Sequence, residues 1–437
     1  MNDAMRIRRV EAVEILDSRG HPTVEVSLSL GAVRGQASVP SGKSTGRYEA
    51  LERRDGDPSR YGGLGVLTAV GAVNDHIATA LLGQEFASQQ DLDQRLIQLD
   101  GTPLKSRLGA NAILGVSIAA ARARALACQQ PLYESLAAEQ ANVLPVPCLN
   151  VINGGAHAAN ELDFQEFMLV PAGFARYSDA LRAGVETYHA LARILEADGL
   201  STAVGDEGGF APAVRHPVQA LDLLMRAIEA TAYSPGEQMF IALDPAANGF
   251  IRSGQYVVGE EALGAAELVQ LYEQWVQRYP IVSIEDGLAE SDDEGWRHLT
   301  RRLGEQIQIV GDDIFVSQQG RVRAAAAAGI ANAVLLKPNQ VGTLSEIADT
   351  ARVARAAGYR LMMSHRSGET NDSFIADFAV ALSTGQIKAG APARGERVAK
   401  YNQLLRIERE LGDHAQFLGR AAFRPDAAKR RKVAAEN

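Results

Sequence analysis

An α/β fold is predicted, built as an N-terminal α+β domain followed by a barrel. Three observations predict it. From Phe240 to Lys388 a short apolar run that meets a polar or charged residue recurs six times: FIALD ending at Asp244, PIVSIED reaching Glu285, IQIVGDD reaching Asp312, AVLLK ending at Lys337, LMMSHRSGE containing His365, and GQIK ending at Lys388. The steps between these residues are 41, 27, 25, 28 and 23, the length of a strand plus a crossover helix. Between the runs, 265–278, 292–303, 318–328 and 344–357 have helical composition. Short buried strands alternating with helices give a parallel sheet. Closed into a TIM-like (β/α)8 barrel, that sheet opens its C-terminal strand ends on one face, where loaded residues mark an active site.

The rest of the composition narrows the class. A chain of 437 residues holds two or three domains, or one barrel with a smaller companion. Hydrophobic content of 46% and charged content of 22% are ordinary for a globular protein. A net charge of −9 argues against a nucleic-acid binder. The two cysteines, Cys128 and Cys148, form no C-x-x-C pair, which argues against a disulfide framework or a zinc cluster. The opening residues MNDAMRIRRVEAVEI lack an apolar signal core, and no long uninterrupted apolar stretch occurs. The expectation is a cytoplasmic enzyme without a membrane span.

In chain order, residues 1–139 read as the α+β domain. Within 7–39, strands form a meander, and Val24, Val26, Leu28 and Leu30 alternate onto one face. DSRGHPT at 17–23 is a turn. The stretch SVPSGKSTG contains GKST, but a phosphate-binding P-loop needs glycine at position 37, where Ala37 stands. A loop that closes over a site built elsewhere is the better functional reading. Helices are expected over 65–82, 89–99 and 110–127, the small residues of the last serving close packing. Pro145 and Pro147 mark 140–147 as a linker. The barrel is expected over 148–427. Its first two strands, VPCLNVIN and DFQEFMLV, are separated by a segment too short for a crossover helix, so they should run antiparallel. Helices at 177–197 and 217–230 flank the loop GDEGG, and a last helix covers 397–411. The tail 428–437 carries a basic run and reads as a solvated terminus.

The chemistry follows from the residue types. Asp244, Glu285 and Asp312 end three successive strands. Converging carboxylates repel one another unless a cation lies between them, and an all-oxygen set suits Mg²⁺; the competing reading is that each caps the following helix. Lys337 and Lys388 end later strands. One could act as a base if its pKa fell by about 3 units from about 10.4, a differential of about 4 kcal/mol, while the other stays charged and binds an anion. Both could also be surface lysines. Glu166, inside the apolar run FQEFMLV, and Glu207, between glycines, are candidates for raised pKa values and acid–base work; a structural pair and a turn are the plain alternatives. His157 and His365 lie on loops beside strands, and Arg366 with Ser367 could hold a phosphate. Together these groups define proton abstraction next to a carboxylate, an enolate dianion neutralised by metal, and loss of a β-substituent.

DSRGHPTVEV, SVPSGKSTG, GANAILGVS, NGGAHAANELDFQEFM, GDEGGFAP, ALDPAA, SIEDGL, VGDDIFV, LLKPNQVGT, SHRSGET and IKAGAPARGERVAKYNQLLRIE occur in this order over nearly the whole chain. In them the chain resembles the enolase family. The resemblance implies an enolase-type irregular barrel behind a three-stranded meander with helices. It implies reversible dehydration of 2-phosphoglycerate to phosphoenolpyruvate, in glycolysis and gluconeogenesis. Lys337 would remove the C2 proton, and Glu207, helped by Glu166, would protonate the leaving 3-hydroxyl. Asp244, Glu285 and Asp312 would hold one Mg²⁺, and Ser44 would ligate a second that arrives with substrate. Lys388, Arg366, Ser367, Gln165, His157 and His365 would contact the substrate. The family implies a homodimer or homo-octamer, and a surface or secreted pool without a signal peptide stays open. The chain departs from the family pattern at Lys43, where alanine is usual, at Asn248-Gly249, and at Asn371. Lys43 is expected to point to solvent, and Asn248-Gly249 to alter a loop without loss of a ligand. Two other readings stay open: an enolase-like enzyme acting on a phosphonate or related enolpyruvate substrate, and an added binding or scaffold role.

Overall fold

The three strands Ile7–Leu16, Pro22–Leu30 and Val33–Ser38 pair antiparallel in chain order. The computed structural model describes residues 5–43, 46 and 48–424, so Ser44 and the basic tail 428–437 lie outside the described residues. Val24, Val26 and Leu28 are fully buried, as their alternation requires of a sheet with one face on a core. That face packs on the helix Ala110–Ala127. A Cβ on Gly35 would lie 2.1 Å from the Ala119 carbonyl oxygen and 2.5 Å from the Ala123 nitrogen. Only glycine fits there, and the alanines opposite make the approach possible. The other helices of this part are Leu67–Gly71, which continues through a π-helical stretch Ala72–Ile77 into Ala78–Leu81, and Gln89–Asp100, whose N-terminus is capped by the Ser88 hydroxyl accepting from the Asp91 amide.

Eight strands close into a barrel: Val146–Asn153, Glu166–Val170, Phe240–Asp244, Ile281–Glu285, Gln308–Gly311, Ala333–Leu336, Arg360–Ser364 and Gln386–Lys388. The last pairs with the first, Lys388 opposite Cys148. The second strand is antiparallel to both neighbours, because the connection before it has no room for a crossover helix. This reversal places Glu166, the first residue of its strand, at the end of the barrel where the other strands finish, opposite both Asp244 and Asn153. Cys148, Met168, Ala242, Val282, Val310, Leu335 and Met362, at alternate strand positions, form an apolar cluster of their own that fills the barrel interior.

Helices Tyr177–Ala197, Pro217–Glu229, Ala265–Arg278, Asp293–Leu303, Gln319–Ala327, Leu344–Ala356 and Gly395–Leu411 surround it. Three features differ from the sequence reading. A further helix, Phe374–Ala381, has all its residues buried. It lacks the polar face that would give it a 3.6-residue period. The long step between Asp244 and Glu285 holds a small sheet, Ile251–Arg252, Gln255–Val258 and Glu261–Leu263, ahead of its helix. Within the expected linker 140–147, Val143–Leu144 pairs with Gln416–Phe417, and Val146 already belongs to the barrel; Pro145 and Pro147 tolerate this because their fixed φ suits extended chain.

The N-terminal part is fixed against the mouth of the barrel. Ser41 and Gly368 exchange backbone hydrogen bonds of 2.8 and 2.9 Å. Arg122 donates through both terminal nitrogens to Asp372, at 2.7 and 2.6 Å, and Lys105 pairs with Glu346 at 2.9 Å. Among the described residues no helix is long and apolar enough to cross a membrane.

Candidate active site

The strand ends converge. Asp244, Glu285, Asp312, His365 and Lys388 are all buried, and Lys337 is nearly so. Each follows an apolar strand whose own burial leaves its last side chain nowhere to point but the barrel mouth. The Lys388 ammonium sits among three carboxylates, 2.8 Å from Asp244, 2.9 Å from Glu285 and 3.0 Å from Glu166. Lys337 donates a hydrogen bond to Asp312, whose other oxygen accepts from Gln340 at 3.0 Å. The next layer is set by Asp286, in the left-handed region at φ 42°. Its carboxylate accepts from the amides of Asp312 and Asp313, both at 2.9 Å.

On the opposite side, His157 Nδ1 lies 3.5 Å from Glu166 and 3.6 Å from Glu207. His365 Nε2 lies 3.2 Å from Glu207, which also accepts from Asn150 at 3.0 Å. Arg366 faces Glu49 of the N-terminal part at 3.1 Å and Asn339 at 2.8 Å. The Ser367 hydroxyl accepts from Arg19 at 3.4 Å. Gln165 lines the same cavity. Its volume is about 60 Å³. Lys43 and His157 also line an adjoining cleft of about 1080 Å³.

Burial and crowding shift these groups apart. Burial, with Asp244 and Asp312 beside it, pushes Glu285 up to about 8. Burial and the Glu207 charge push Glu166 well above the carboxylate range. Burial raises Asp313 to about 6, with Asp312 adding to it. Glu207 goes the other way: burial pushes it up, but the two imidazoles and Arg397 outweigh that and hold it well below its ordinary value. Burial lowers His157, and lowers His365 to about 4. So near neutral pH Glu207 is ionised beside two neutral imidazoles while Glu166 keeps its proton.

Four sequence expectations need correction. One lysine was expected to offer a lowered pKa as the base, with the other staying charged. Burial does pull them down, but Asp312 raises Lys337, and the ring of carboxylates raises Lys388 well above its ordinary value. Glu207 is lowered where a raised value was expected. Lys43 is exposed but not free in solvent: its ammonium pairs with Asp206 at 2.9 Å beside the adjoining cleft, because Asp206 stands on the GDEGG loop facing it. Asp244, Glu285 and Asp312 converge through lysines rather than forming one tight cluster. Among the described residues, the groups whose ligand atoms all lie within 4.8 Å of one another are His157, Glu166 and Glu207, and Asp286, Asp312 and Asp313.

The donor set still fits a hard divalent cation. It is rich in carboxylate oxygens, and Glu285 keeps one buried oxygen without a hydrogen-bond partner among the described residues. Asn248, at one of the family departures, donates to Asp313 at 2.9 Å and accepts from the Glu290 amide at 2.9 Å, and it displaces none of these acids. Asp286, Asp313, Asn150, Glu49 and Arg397 were missed by sequence reasoning. The doubled acids of SIEDGL and VGDDIFV were a signal for the first two; the other three carry none, because their partners are distant in the chain.

Both parts of the chain resemble known proteins. Residues 7–136 match the family described as "Enolase, N-terminal domain", and residues 141–426 the family described as "Enolase, C-terminal TIM barrel domain". A curated relative, the enolase of Acidothermus cellulolyticus, is 56% identical over 419 residues, covering 95% of this chain and 97% of the relative. Matches that together span almost the whole chain, in a closed barrel with its acids and lysines at one mouth, leave one conclusion: the chain belongs to the enolase family of lyases.

Proposed function

We propose that the chain catalyses the reversible dehydration of 2-phospho-D-glycerate to phosphoenolpyruvate. The observation that carries this reading is the opposition, across one small cavity, of Lys337 to a buried acid pair, Glu166 and Glu207, with cation-demanding carboxylates beside them. Asp244, Glu285 and Asp312 would hold Mg²⁺, and the resemblance assigns Ser44 to a second ion. Bound there, Mg²⁺ would draw negative charge from the substrate carboxylate and so stabilise the enolate.

Lys337 takes the C2 proton at Nζ once its ammonium is released from Asp312 and deprotonated; Arg366 and Lys388 favour that loss. Lys388 stays charged and steadies the substrate carboxylate. The proton that leaves with the 3-hydroxyl is stored on the acid pair, resident on Glu166 and passed to the hydroxyl through Glu207. Arg366 and Ser367 exchange Glu49 and Arg19 for the substrate phosphate. Phosphate binding entails these exchanges because Arg366 and Ser367 are already engaged by Glu49 and Arg19. The family resemblance also supports assembly at least as a homodimer and a cytoplasmic setting.

The test is enolpyruvate absorbance formed from 2-phosphoglycerate, with Mg²⁺ and then with chelator. Turnover that chelator abolishes is expected. A folded, Mg²⁺-binding protein without turnover overturns the substrate assignment.

A further inference from the structure

We infer that Arg397 is a positioning residue that fixes where the proton of His365 resides, and through it presents a permanent donor to Glu207. The inference builds on the proposed reaction but has a readout independent of it. Arg397 is fully buried near the start of the helix Gly395–Leu411. Its Nη1 lies 2.6 Å from His365 Nδ1 and donates to the Arg366 carbonyl at 2.7 Å. Its Nη2 donates to the carbonyls of Ser367 at 2.6 Å and Asp206 at 3.1 Å. One guanidinium thus ties together the loop that carries His365 and the loop that carries Glu207.

The chemistry of the pair decides the tautomer. A guanidinium has five N–H donors and no acceptor, and it does not lose its charge. His365 Nδ1 must therefore accept. A neutral ring with an accepting Nδ1 carries its hydrogen on Nε2, the nitrogen 3.2 Å from Glu207. A doubly protonated ring would set N–H against N–H at Nδ1, beside a fixed positive charge. The charged groups around the ring are Glu207, Arg397 and Glu369. The two acids favour the imidazolium; burial opposes it, and among these charged groups the guanidinium does too. Without Arg397 the ring would be free to hold its hydrogen on Nδ1 or to become charged, and Glu207 would meet either an acceptor or an ion pair. Lysine cannot replace it, because an ammonium lacks the planar fork that spans both loops. The backbone leaves little room for alternatives: a Cβ on Gly390 would lie 2.8 Å from Arg397 Cδ.

The experiment uses full-length protein labelled with ¹⁵N at histidine, of which the chain has 8, with the His365 signals assigned by their loss in H365N. Wild type is expected to show a neutral ring, protonated at Nε2 and bare at Nδ1. In R397K and R397M that signature is expected to shift toward a mixed or charged ring, and kcat to fall about 10–100-fold, the usual cost of losing an outer partner of a catalytic group. KM for 2-phosphoglycerate should change far less, and R397K should not rescue. A wild-type His365 protonated at Nδ1 overturns the inference without recourse to any variant, so a variant that fails to fold does not shield it. Unchanged tautomer or unchanged kcat in a folded R397K overturns it equally. If wild type shows the expected tautomer but does not turn over 2-phosphoglycerate, the proposed substrate fails and the role of Arg397 in fixing His365 stands.

Discussion

Consider Lys388→Met in metal-free protein. The lysine is buried and meets Asp244, Glu285 and Glu166 within 3.0 Å. Its pKa is raised well above its ordinary value. Its stabilising contribution is therefore fully present below that ordinary value and is lost only as pH climbs through the folded one; at about pH 7.5 all of it is available. Removing one partner of a buried charged set costs about 3–5 kcal/mol. For a chain of 437 residues the unfolding entropy is about 0.9 kcal/mol/K, so Tm should fall by about 4 °C. Glu285 has a dependence of the same sign, displaced to lower pH. Its folded pKa is pushed up to about 8, so the proton it holds stabilises the fold at low pH, and that contribution fades as pH rises through 8. Acidifying the variant should accordingly narrow its deficit, since protons neutralise the acids that the lysine no longer balances. Mg²⁺ should narrow it as well. The assay is thermal unfolding of wild type and variant in chelator, across pH, then with excess Mg²⁺. A variant as stable as wild type at about pH 7.5 in chelator would show that removing the lysine leaves no uncompensated buried carboxylate charge, and the reasoning would fail.

Three further outcomes are expected. Lys337→Ala should lower kcat by at least about 10²–10⁴-fold with folding and Mg²⁺ binding largely kept; wild-type turnover in that variant removes Lys337 as the base. Asp312→Ala should weaken Mg²⁺ affinity measured by titration calorimetry, whereas unchanged affinity returns Asp312 to a purely structural role. Gly35→Ala, which drives a methyl group into the backbone of the helix beneath the meander, should cost about 1–3 kcal/mol in denaturant unfolding of that part and leave kcat nearly untouched.

The barrel was legible because each buried strand ends in a residue that does not belong in a core. Asp244, Glu285, Lys337 and Lys388 stand out against FIAL, IVSI, AVLL and GQI for that reason alone. The reversed strand was legible from the shortness of one connection. Phe374–Ala381 was not, since a helix buried on every side has no periodicity to read. The site divides along the same line. Residues that end strands announce themselves, while Arg397 and Asn150 look like ordinary members of a helix and a strand until the chain is folded. The Lys337 pKa shift came out in the opposite direction because a sequence shows that an ammonium is buried but not which carboxylate it meets. Lys43 follows the same rule: its partner, Asp206, is 163 residues away.

The seam between the first and last barrel strands has a consequence for folding. The first two strands are antiparallel neighbours separated by only a short segment, and the third pairs with the second across the helices Tyr177–Ala197 and Pro217–Glu229, so the first pairing is available to a growing chain without a large loop penalty. The pairing of Lys388 with Cys148 is of the other kind, joining segments from opposite ends of the domain. Lys388 is also the cation that the acids of Asp244, Glu285 and Glu166 gather around. Two of those acids, Glu166 and Asp244, face each other on the second and third strands, and the set lacks this cation until the ring closes and brings the lysine among them. Closure and neutralisation are then a single event. A half-formed barrel has no site to offer, and catalytic competence serves as a direct kinetic marker for the last long-range step of folding.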